Sequence, residues 1–138
     1  MLAANARKKQ RSSDMGEEKD SATTAETLRA HVRGLWPRHN RPYYIDEELY
    51  MQLWDEHVQK YGFKCSVTGE AFDMTKKATR PSVDQISAGS GYWAWNIRFT
   101  TCVFNTARNM TGDAHFEQMC RAVLESKYAQ PCVHVSSA

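Results

Sequence analysis

The chain has no apolar run approaching the roughly 18 residues that a membrane-spanning helix needs. It also lacks a secretory signal with an apolar segment at its start. A soluble, intracellular protein with no membrane partner is therefore expected. Cysteine is scarce, and Cys65, Cys102, Cys120 and Cys132 show no framework spacing, which argues against a disulfide scaffold and for reduced thiols. No internal repeat is present, so repeat architectures are set aside. Charge of one sign is also missing: a net charge of +2 is too small to imply a nucleic-acid partner by itself.

What is there describes one small globular domain with tails, since 138 residues are 41% hydrophobic and 25% charged. Residues 1–22 open with Arg7, Lys8, Lys9 and Arg11 and continue with Asp14, Glu17, Glu18 and Asp20, with almost nothing to bury. Such a segment is expected to be a disordered, solvated tail, although its basic cluster would also suit a nucleic-acid arm or a targeting signal. The domain is placed at 23–129, and 130–138 is read as a second tail after Pro131.

Within the domain, Thr23-x-x-Glu26 fits a capping box, and Leu28, Val32, Leu35 and Trp36 follow at helical spacing. That predicts a helix over 24–35, ended by Pro37. A connector with Arg38, His39, Arg41, Tyr43 and Tyr44 comes next, and is read equally as a phosphate-contacting and base-stacking segment or as a loop whose tyrosines anchor to the core. Asp46 is a good N-cap for a helix running to Tyr61, with Gly62 as its stop. His57 falls on its apolar face and is expected to be a hydrogen-bonded core residue rather than a base. Residues 63–73 read as a hairpin or knuckle turning at Thr68-Gly69. After Thr111-Gly112, Asp113 is expected to cap a last helix whose inner face, with Phe116, Met119, Cys120, Val123 and Leu124, closes the core. His115, in its first turn, is a weak candidate for a base.

The segment 80–109 packs the most into the shortest space. Residues 81–86 alternate as a short strand does, Ser87 to Gly91 offers two glycines for a reversal, and 96–101 alternate again. From Cys102 the pattern suits a helix. Asp84 leaves the first strand and Asn105 lies on the first turns of the helix, so a tight hairpin brings two oxygen ligands together. Oxygen donors suit Mg2+ or Mn2+, which keep several waters and accept phosphate oxygens. Asn96, between them, has the donors and the acceptor to pin the hairpin loop. Tyr92, Trp93 and Trp95 crowd that loop, either covering a small core or stacking on an unpaired base.

Cys65-Ser-Val-Thr-Gly69, Pro81-Ser-Val-Asp84-Gln-Ile, Gly91-Tyr92, Asn96-Ile-Arg98 and Asn105 together resemble the HNH, or His-Me finger, nucleases, most closely a phage-type branch. The likeness covers a core motif at 63–109. It implies an α+β fold in which a ββα-metal hairpin and helix is braced by additional helices. It also implies a metal-dependent endonuclease that hydrolyses nucleic-acid phosphodiester bonds, with DNA the preferred partner over RNA. The candidate catalytic positions are then Asp84, Gln85, Asn96 and Asn105, with Asp84 and Asn105 as ligands of Mg2+ or Mn2+ and Asn96 as the loop brace. The expected nucleic-acid contacts are Arg38, Arg41, Lys76, Lys77, Arg80, Arg98 and Arg108, several of them forming a positive rim around a single acid.

Two positions depart from that pattern. Gln85 stands where the family usually has its histidine, and an amide cannot take a proton from water. Its presence favours an alternative, a catalytically inactive nucleic-acid-binding or structural subunit. Many relatives hold a structural zinc with Cys-x-x-Cys pairs. Here Thr68 and Asn105 stand where second cysteines would, so no structural zinc is expected.

Overall fold

A computed structural model describes residues 22–36 and 43–126. Arg38, His39, Arg41 and the segments 1–21 and 127–138, which hold nearly all of both expected tails, lie outside the described residues. Among the described residues, four α-helices and a two-stranded antiparallel sheet run in the order α1 (Ala25–Gly34), α2 (Glu47–Tyr61), β1 (Pro81–Gln85), β2 (Ile97–Thr101), α3 (Cys102–Arg108) and α4 (Asp113–Glu125). Short 3-10 turns at Lys77–Thr79 and Ala94–Asn96 precede the two strands. The architecture is α+β.

The capping box of α1 sits one residue later than its sequence signal. Thr24 accepts from the Thr27 amide, and the Thr27 hydroxyl accepts from the Thr24 amide, closing the reciprocal pair with a threonine where Glu26 was expected to serve. Thr23 is occupied elsewhere, accepting from the Met74 amide at 2.8 Å. Helix α2 begins as its sequence suggests, with Asp46 accepting from the Leu49 amide at 2.8 Å, and it ends at Gly62, whose φ of 72° a side chain would resist.

A two-stranded ribbon is marginal alone and needs cover on its faces. Pairing of Val83 with Phe99 sends those two toward α1 and α2, where Phe99 meets the Trp54 ring edge-on at 5.1 Å. Tyr50, Trp54, Leu28 and Val32 complete this core, and the Tyr50 hydroxyl donates to the Val32 carbonyl at 2.8 Å. Trp54 is the largest fully buried side chain among the described residues, and its replacement by alanine would cost about 3–5 kcal/mol. His57 is a core residue as expected: its ring stacks on Trp54, and Nε2 lies 2.8 Å from the Lys64 carbonyl. The knuckle forms where the sequence put it, with the Cys65 amide donating to the Glu70 carbonyl and Gly69 turning at φ 72°. It backs the sheet through Ser66, whose amide donates to the Phe99 carbonyl at 3.1 Å.

Helix α4 departs from expectation. It does not close the core: none of its residues is buried, and of its apolar stripe Phe116 alone packs against the core, edge-on to Phe104 at 5.5 Å. Met119, Val123 and Leu124 are exposed. The buried core is made by α1, α2, the knuckle, the sheet and Phe104 of α3, and α4 meets it only at its edge through Phe116.

Candidate functional site

Strand register places Asp84 directly opposite Arg98, on the face of the sheet turned away from Val83 and Phe99. Helix α3 packs on that same face. It starts at Thr101, whose hydroxyl accepts from the Phe104 amide, so the strand runs into the helix without a loop. That direct passage carries Asn105 back over β1, where Nδ2 donates to the Ser82 hydroxyl at 2.8 Å and to the Val83 carbonyl at 3.1 Å. A carbonyl can only accept, so the amide orientation is fixed and Oδ1 is left as an acceptor with no partner among the described residues.

Asp84 and Asn105 therefore come together, lining a cleft of about 580 Å³ with Gln85, Gly89, Gly91 and Arg108. The carboxylate is not solvent-facing, however. Asp84 is 1% exposed and lies between two guanidiniums, accepting from Arg98 Nε at 2.6 Å and from Arg108 Nη1 at 2.9 Å. Both arginines also reach Asp113: Arg98 through both terminal nitrogens at 2.9 and 2.8 Å, Arg108 through Nε at 2.6 Å. The result is a closed ring of two acids and two bases at the foot of α4. Burial pushes the Asp84 carboxyl above its ordinary range, with the Arg98 and Arg108 charges pulling the other way. Hydrogen bonds from Arg98 hold the half-exposed Asp113 below it.

The positive rim expected around a single acid is corrected accordingly. Arg108 is 1% exposed, its third nitrogen donating to the Ile86 carbonyl, and Arg98 is mostly covered. Each guanidinium has two carboxylate partners, Asp84 and Asp113, which are the only acids in the sequence from Arg80 to the first residue of α4. Arg80 is half-buried and donates to the Met74 carbonyl, whereas Lys76 and Lys77 are exposed and available.

The loop between the strands is held by two side-chain amides. Asn96, fully buried, accepts from the Ser87 amide at 2.7 Å and donates to the carbonyls of Ser87 at 3.1 Å and Gly91 at 2.7 Å, which is the bracing geometry expected of it. Gln85 is a second brace. Its Oε1 accepts from the amides of Gly89 at 3.0 Å and Gly91 at 3.2 Å, so the position is occupied by loop structure. His115 is exposed at the start of α4 and does not line the cleft. Asp113, taken from sequence as a helix cap, occupies the first helical position after Gly112 and is the site residue that sequence reasoning missed. The signal was the shortage of acids beside Arg98 and Arg108.

In donor type the pair fits a hard cation: Asp84, which carries a carboxylate, and Asn105, which carries a neutral amide oxygen, both line the cleft. The ring sets the terms, since an ion reaching Asp84 shares it with two guanidiniums and meets a locally neutral cluster. Among the described residues no group of three or more His, Cys, Asp or Glu is arranged to hold a metal by itself. Cys65 is packed in the core and Cys102 lies at the start of α3, both as free thiols. No helix among the described residues is long and apolar enough to cross a membrane.

No protein-family profile, curated protein or solved structure matches the chain.

Proposed function

We propose that this chain is an HNH-like, metal-dependent endonuclease that hydrolyses nucleic-acid phosphodiester bonds in the cleft between β1 and α3, with DNA the preferred substrate. The observation that carries the reading is that Asp84 and Asn105, whose Oδ1 has no partner among the described residues, line one cleft beside a loop that Asn96 pins. Asp84 and Asn105 would hold Mg2+ or Mn2+, which supplies polarisation of the phosphate and stabilisation of the leaving oxygen. The chain's own residues set the stage. Arg108 lines the cleft and, with Asp113, fixes the direction of Asp84, whereas Arg98, the more exposed of the two guanidiniums, does not line it and balances the same two carboxylates from the other side of the ring. Lys76 and Lys77 add exposed positive charge outside the ring.

One observation favours the second reading, a non-catalytic nucleic-acid-binding or structural subunit. No histidine lines the cleft, and Gln85, at the usual place of the base, has its oxygen committed to two backbone amides. Incubating the purified protein with plasmid DNA and with RNA, in Mg2+, Mn2+ or EDTA, separates the two. Metal-dependent nicking supports the nuclease. Retention of nucleic acid with no cleavage in either metal supports the binding subunit.

A further inference from the structure

Tyr43 and Tyr44 run alongside Tyr92 and Trp93, joined by a parallel bridge and by the Tyr44 amide donating to the Tyr92 carbonyl at 3.1 Å. Extended backbone sends successive side chains to opposite sides. Tyr43 and Tyr92 accordingly turn inward and stack at 4.3 Å with an interplanar angle of 8°, Tyr92 ending in the core. Tyr44 and Trp93 turn outward and stack at 3.9 Å and 10°, yet remain 53% and 38% exposed. Trp95, two residues on, is 64% exposed. Core packing explains the first pair and leaves the second, with Trp95, unexplained.

The outward pair is held in place. Trp93 Nε1 donates to the Ser90 carbonyl at 3.0 Å, which uses its one polar atom and fixes the ring. Gly91, at φ 91°, is what lets Tyr44 lie against the loop: a Cβ there would stand 2.8 Å from Tyr44 Cε2. Gly91 also lines the cleft of Asp84 and Asn105, so the aromatic group adjoins the cleft at that residue. Flat rings left wet, two of them stacked and one of those fixed by its indole N–H, offer to a nucleic acid the π-faces on which unpaired bases stack. A continuous duplex keeps its bases stacked on each other and has none to give.

We infer that Tyr44, Trp93 and Trp95 form a stacking platform for an unpaired nucleobase, so that the strand entering the cleft is single-stranded or locally opened. The inference rests on the nucleic-acid reading above and names its substrate class.

The test is a fluorescence-anisotropy titration in EDTA, which prevents cleavage, using a labelled oligothymidylate and a blunt duplex of equal length. Wild-type protein is compared with Trp95→Ala and with Tyr44→Leu, which keeps apolar bulk but removes the ring; both side chains are exposed enough that folding is preserved, and circular dichroism checks it. Stacking is lost at roughly fivefold to hundredfold in affinity per base. Each variant is expected to lose that factor on the single strand at both low and high salt, and to bind the duplex as the wild type does. Equal losses on both ligands, or none on the single strand, overturn the platform. Wild-type protein that binds duplex but not oligothymidylate also overturns it while leaving the nuclease reading intact. Binding to neither ligand removes both.

Discussion

Replacing Asn96 by alanine tests whether the loop beside the cleft is built as described. The side chain serves three backbone groups at once, and the shortest bond to a buried partner is the 2.7 Å contact to the Gly91 carbonyl. A buried acceptor stripped of its donor costs about 1–3 kcal/mol, whereas the Ser87 groups, on an exposed residue, recover much of their loss from water. A sum of about 2–4 kcal/mol follows, because the cavity left at a fully buried position adds to the Gly91 term. For a domain of this size that lowers Tm by about 10–20 °C. Thermal unfolding followed by circular dichroism reads the shift, and Asn96→Asp serves as a control that keeps the Ser87 acceptor but loses both donors. A loss below about 0.5 kcal/mol, the size of an ordinary surface substitution, would refute the bracing role.

Other consequences can be checked alongside it. Asp84→Ala removes one member of a buried ring and leaves Arg108 short of a partner, so it is expected to destabilise by about 3 kcal/mol in urea unfolding, with native stability as the contrary result. Metal-binding loss in that variant alone is therefore not diagnostic of a ligand role. Burial holds His57 below its ordinary value near 6.5, so the unfolded chain binds its proton first. Stability is then flat above about pH 6.5 and falls below it, by at most about 1.4 kcal/mol per pH unit until the folded-state value is reached. Urea melts at pH 7.5 and 5.0 should show that fall, and His57→Gln, which keeps a donor toward the Lys64 carbonyl, should abolish it; an unchanged fall in the variant contradicts the assignment. Gln85→His, which would place a base beside Asp84, also removes the acceptor for the Gly89 and Gly91 amides. It is expected to loosen the loop, read as faster exchange of those amides, and protection equal to wild type would show that Gln85 is no brace.

Much of the local structure was legible because single residue types dictate it. Asp46 and Gly62 bound α2 as cap and stop, the alternation at 81–86 and 96–101 marked the strands to within a residue, and Asn96 braces the loop as its amide chemistry suggested. What failed depended on pairing across distance. Sequence gave no means to see that Arg98 and Arg108 would each share Asp84 and Asp113, since that follows from a hairpin register and a helix direction set jointly. Likewise the apolar stripe of α4 signalled a helix correctly, but that it meets the core only at its edge depended on how the other elements pack. Gln85 illustrates the same limit: its lack of a titratable proton was plain from its identity, and its attachment to the loop required the fold.

The most direct test of the cleft as a hydrolytic site is the rate of plasmid nicking in Mg2+ by wild-type protein and by Asn105→Ala, each with and without EDTA. Asn105 is the better probe than Asp84 because its removal forfeits one clamp between α3 and β1, worth about 1–2 kcal/mol, and leaves the charged ring whole. The expected result is nicking by the wild type that EDTA abolishes, and at least a tenfold slower rate, equivalent to about 1.4 kcal/mol, in a variant that melts cooperatively. Nicking by Asn105→Ala at the wild-type rate, or no metal-dependent nicking by either protein, would contradict it.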